Sequence, residues 1–75
     1  MTTPKLDKLQ RAALKHHYLC DADGAIRRRC HAILLLADGR TVAQAAALTC
    51  QTAAEVDDAV RRFRAGGVEA MIQSS

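Results

Sequence analysis

Apolar residues recur at intervals of three and four along most of this chain, the period of an α-helix and not of a strand. Over residues 5–19, Leu6, Leu9 and Ala13 lie along one stripe and Leu14 and Tyr18 along its neighbour, while Lys5, Lys8, Arg11 and Lys15 share another face. Thr3 is placed to cap this helix, with Pro4 at its first position, where a missing N–H costs nothing. Residues 20–24, CDADG, read as a turn whose Asp23 caps a second helix over residues 25–37. There Ile26, Cys30, Ile33, Leu34 and Ala37 form the inward stripe. Leu35 and Leu36 widen it until most of the C-terminal half is apolar, as expected of the central helix of a bundle. Asp38 and Gly39 end it.

The next stretch, RTVAQAAALTCQTAAEVDDAVRRF, predicts two helices joined by a tight turn. Thr41 caps the first, over about residues 41–48, where Val42, Ala45, Ala46 and Leu48 are the apolar or small positions. Thr52 and Glu55 form a capping box at the head of the second, over about residues 52–65, with Val56, Ala59, Val60 and Phe63 on one face. Small Ala46 allows a close crossing, with Val56 opposite. A short helix, a tight turn and a longer helix make the helix-turn-helix pattern, whose second helix enters the major groove of DNA. The same residues also suit a helical hairpin with no ligand. Gly66 and Gly67 stop the helix, and a short turn over residues 68–72 would cover the bottom of the core before a frayed end at 73–75.

Composition narrows this to one small all-α domain, a bundle of four to five helices spanning residues 1–75. A domain of 75 residues buries only about 60% of its unfolded surface and has little room for a catalytic cleft. With Tyr18 and Phe63 the only aromatics, aliphatic side chains, alanine and cysteine must fill the core. The net charge of +3 is uneven. Residues 1–20 carry +3, residues 21–41 carry +1, and residues 42–75 carry −1, because Glu55, Asp57, Asp58 and Glu69 outnumber Arg61, Arg62 and Arg64. The longest apolar run, Ala32 to Ala37, is far short of a membrane span, and a cytoplasmic, non-membrane protein is expected.

Candidate chemistry is sparse. Cys20, Cys30 and Cys50 are odd in number and widely spaced, which argues against a disulfide framework. His16, His17, Cys20, Cys30 and His31 suggest a metal site, but Cys30 and His31 diverge by about 100° around one helix, so that helix offers one ligand only. Asp57 and Asp58 diverge likewise and make no catalytic pair. No enzyme, metal, cofactor or small-molecule substrate is expected.

The motifs RRRCHAILLLADGRTVAQAAAL and VRRFRAGGVEAM resemble the N-terminal helix-turn-helix region of bacterial insertion-sequence transposases related to the mariner group, a homeodomain-like fold. The resemblance covers about residues 6–72 and implies binding to double-stranded DNA. A DNA-binding module of this kind would set Arg61, Arg62 and Arg64 on phosphates and Lys5, Lys8, Arg11, Arg27, Arg28 and Arg29 on flanking backbone, with Arg40 a further DNA-binding candidate. Thr41 leads into the first helix of the pair, and the polar front of the second, Thr52, Ala53, Ala54, Asp57 and Asp58, faces the bases. Two departures stand out. Cys50 and Gln51 occupy turn positions where the family has Gly and Val, so a non-glycine residue must bear a positive φ. Carboxylates stand where the family offers arginines, and Asp57 with Arg61, and Asp58 with Arg62, are spaced to pair along the helix. The transposase catalytic domain, with its acidic metal-binding triad, is absent from these residues. Two functions are therefore expected to compete: a transposase-derived DNA-binding module or small regulator, and a degenerate helix-turn-helix kept for dimerisation or docking on another protein.

Overall fold

A computed structural model describes residues 6–72, so Thr3, Pro4, Lys5 and the 73–75 end lie outside the described residues. The four helices are α1 (Lys8–Cys20), α2 (Gly24–Ala37), α3 (Val42–Thr49) and α4 (Ala53–Ile72), and no strand occurs among the described residues. The expected all-α bundle is what forms.

Each helix start is fixed by a side chain. Asp7 caps α1: its carboxylate accepts from Gln10 N at 2.7 Å and Gln10 Oε1 accepts from Asp7 N at 3.2 Å. This capping box starts the regular helix at Lys8, three residues later than expected. Leu14 is fully buried and Tyr18 packs on the core, whereas Leu9, expected on the inner stripe, is 83% exposed. Leu6 reaches the core from ahead of the helix. Asp23 caps α2 by accepting from Ala25 N at 2.8 Å. Thr41 and Gln44 form a second reciprocal box at α3, and Thr52 and Glu55 a third at α4, with bonds of 3.0–3.1 Å.

The central helix α2 packs against all three others. Its Cys30, Ala32 and Ile33 are fully buried among Leu14, Ala45, Val56, Ala59 and Met71. Burial pushes the Cys30 thiol up to about 11, so it stays protonated and serves as a small apolar core side chain. Cys50 is exposed, and so is Leu48 at 55%.

The two glycines after Arg64 act differently from a double stop. Gly66 continues the helix, and Gly67 breaks it at φ 69°, ψ −153°, a conformation that is essentially glycine's alone. The chain folds back so closely that a Cβ on Gly66 would lie 2.8 Å from Ala70 Cβ. The last turn then drives Met71 into the core, as expected of a segment closing its bottom.

Candidate nucleic-acid interface

The α3–turn–α4 unit is built from the backbone of three turn residues. Cys50 takes φ 57° and ψ 40°, the left-handed conformation expected there, and Gln51 N donates back to Ala46 O at 2.9 Å, satisfying a carbonyl at the end of α3. Thr49, buried, donates its hydroxyl to Ala45 O at 2.7 Å, and Gln51 Oε1 lies 2.8 Å from Thr49 Oγ1. These bonds fix the direction in which α4 leaves the turn. With Val56, Ala59 and Val60 buried, the opposite side of α4 carries Ala54, Asp58 and Arg61, flanked by Ala53 and Asp57.

Charges on that face are only partly paired. Asp58 accepts from Arg62 Nε at 2.9 Å, as its spacing predicts, and its second oxygen stands 4.0 Å from Arg61 Nη2. The Arg62 hydrogen bond holds the Asp58 carboxyl below its ordinary range. The expected Asp57–Arg61 pair does not form: Asp57 Oδ1 is buried with no hydrogen-bond partner, and Arg61 leans toward Asp58 instead. Asp57, Val60, Arg61 and Arg64 line an open hollow of ≈ 390 Å³.

The three consecutive arginines separate. Arg27 and Arg28 are exposed and gather over the start of α2, where a Cβ on Gly24 would meet Arg28 Nη1 at 3.5 Å and Arg27 Nη2 at 3.6 Å. Neither makes a hydrogen bond or ion pair among the described residues. Arg28 lines two clefts. One, of ≈ 270 Å³, holds Arg29, Gln51, Ala54, Glu55 and Asp58 at the front of α4. The other, of ≈ 480 Å³, is lined also by Arg27, Tyr18, Leu19, His31, Leu48 and Cys50 beside the turn. Arg29 is engaged inside the fold, its Nη1 donating to Met71 O at 3.4 Å, which ties α2 to the last turn of α4.

Of the remaining candidates, Arg40 and Thr41 are exposed at the head of α3, with Thr41 Oγ1 occupied in its cap. Thr52, Ala53 and Ala54 are exposed at the head of α4, with Thr52 Oγ1 likewise occupied, and Arg64 is exposed further along. Lys8 is exposed at the start of α1, remote in sequence from the turn. Two residues outside the sequence candidates also border the interface: Gln51, in the turn, lines the cleft at the front of α4, and Leu19 lines the one beside the turn.

The family model of the winged helix-turn-helix matches residues 29–75, more than half of the chain. This chain belongs to the winged helix-turn-helix family. No curated protein and no solved structure matches it. The match takes in α3, the turn and α4 whole, together with α2 from Arg29 onward, and leaves α1, Arg27 and Arg28 outside. With no strand among the described residues, the part of this winged helix-turn-helix domain in view is helical. Nor is any described helix long and apolar enough to cross a membrane, and no group of three His, Cys, Asp or Glu among the described residues could hold a metal ion.

Proposed function

We propose that this domain binds double-stranded DNA through α4, as a transposase-derived DNA-binding module or small regulator. One observation carries the reading: Arg28, exposed, lines a cleft with the front of the second helix of a helix-turn-helix, and Arg27, exposed beside it, lines the cleft next to the turn. In that architecture the second helix lies in the major groove, and cations beside its front meet the phosphates. Two exposed guanidiniums gathered at one helix start repel each other in a free domain and suit a polyanion. The resemblance of the arginine run and of the VRRFRAGG segment to mariner-group transposases supports the derivation. The test is binding to a random-sequence duplex at two salt concentrations. Arg27→Ala and Arg28→Ala should each weaken binding and lower the salt slope by about 1, the value for one lost phosphate contact. Unchanged affinity and slope in both would refute the footprint.

A second reading, dimerisation or docking on another protein, is favoured by Leu19 and Leu48. They are 63% and 55% exposed, far apart in sequence, and line the same cleft. A homodimer through that cleft would show twice the chain mass at micromolar concentration and revert to monomer on Leu48→Glu. A monomer at all concentrations would remove it.

A further inference from the structure

The cleft of ≈ 480 Å³ beside the turn combines apolar side chains with a basic rim. Leu19, near the end of α1, and Leu48, near the end of α3, both line it and are 63% and 55% exposed. Tyr18, stacked on His31 at 4.3 Å, gives it an aromatic wall. Arg27 and Arg28 complete the lining from the first turn of α2, and no carboxylate among the described residues lines it. Asp21, an acidic group that feels Arg27, is already engaged: one carboxylate oxygen accepts from Asp23 N at 2.8 Å and the other stands 3.2 Å from His17 Nδ1. DNA accounts for the arginines and not for the leucines, since phosphates would leave Leu19 and Leu48 in water.

We propose that this cleft docks a short acidic segment of a protein partner, one that sets apolar side chains on Leu19, Leu48 and Tyr18 and carboxylates on Arg27 and Arg28. The proposal rests on the docking reading above and names the partner's chemistry. Apolar anchors seated in a pocket carry the affinity of such a contact, while charges at its rim choose the partner and speed the encounter. Charge also decides against a second copy of this chain. A two-fold dimer through the cleft sets one patch against itself, so Arg27 and Arg28 of both protomers would crowd a single interface with no carboxylate in the lining to offset them. An acidic segment reverses the sign of that term and covers the same two leucines.

The experiment is selection by the full chain, under reducing conditions, from a displayed library of random peptides, followed by anisotropy titrations of the winning peptide, fluorescently labelled. Solution mass is taken from the same samples, and circular dichroism confirms the fold of each variant. Winning peptides should combine Leu, Met or Phe with Asp or Glu. Leu48→Glu and Arg28→Glu should each weaken binding on the order of tenfold, and the loss on Arg28→Glu should shrink as salt rises. Leu9→Glu adds the same charge at an 83% exposed position outside the cleft and should bind as the wild type does. A library with no binder, winners without carboxylates, or a peptide that holds Leu48→Glu as tightly as the wild type overturns the proposal. A wild type of doubled mass that Leu48→Glu returns to monomer puts a second copy in the cleft, which overturns the proposal and keeps the dimerisation reading. No peptide binder together with a monomeric mass removes both.

Discussion

Replacing Cys50 with glycine should stabilise the domain. Cys50 holds φ 57° at the turn between α3 and α4, and its side chain is exposed, so truncation sacrifices no buried contact. A non-glycine residue in the left-handed region costs roughly 1–2 kcal/mol from the clash of Cβ with the following carbonyl. Glycine removes that cost but loses about 0.4–1 kcal/mol to the greater freedom of the unfolded chain. The balance is a gain of about 0.5–1 kcal/mol, or roughly 3–6 °C in melting temperature for a domain of this size. The assay is thermal unfolding followed by helical circular dichroism under reducing conditions, with Cys50→Ala and Cys50→Val beside it. Alanine keeps the Cβ and should melt near the wild type; β-branched valine should melt below it. A glycine variant no more stable than the alanine variant would refute the reasoning, because the strain would then not reside in the backbone of this turn.

Four further outcomes follow from the same geometry. Gly67→Ala, at φ 69° and ψ −153°, should cost about 1–3 kcal/mol and loosen the last turn that buries Met71, read as faster amide exchange over residues 68–72. Asp7→Ala removes the cap of α1 and should cost about 1 kcal/mol, with the loss confined to the first turn of α1 by amide exchange. Burial lowers His31, stacked on Tyr18 at 4.3 Å, below the ordinary 6.5, so the unfolded chain takes up that proton first. Stability should therefore hold above about pH 6.5 and fall as the pH drops through the folded-state value, a step that His31→Gln should flatten in denaturant titrations. A separate loss should appear below pH 3.8, where Asp58 must be protonated away from Arg62, and Asp58→Asn should remove that one.

The helices were legible in the sequence because their signals are local. Asp23, Thr41, Thr52 with Glu55, and Gly39 each act on a backbone group within a few residues, and each does what its position predicts. In α1, Leu14 and Tyr18 face the core as their spacing predicts, and only Leu9 departs. Leu6, Leu9 and Ala13 are correctly spaced for a stripe, but Asp7 ends the helix between Leu6 and the rest, and an aspartate reads as charge as readily as it reads as a cap. Gly66 and Gly67 signal a stop, yet the direction the chain takes next depends on Met71 finding the core, a contact with residues forty positions away. Within the candidate interface, the Asp58–Arg62 pair follows from spacing, and the left-handed Cys50 from the resemblance to a family that has glycine at that turn position. The choice of Arg61 between two adjacent aspartates does not, since both lie within reach of it along the helix. Nor could spacing separate Arg29 from Arg27 and Arg28: only the packing of α2 on the end of α4 turns one arginine inward and leaves two over Gly24.

The most direct test of the account is fluorescence anisotropy of a labelled random-sequence duplex titrated with the wild type and with Arg28→Ala at two salt concentrations. The account predicts wild-type binding that weakens strongly as salt rises, and a variant whose slope is lower by about 1. Absence of binding at low salt, or a variant indistinguishable from the wild type, would contradict it.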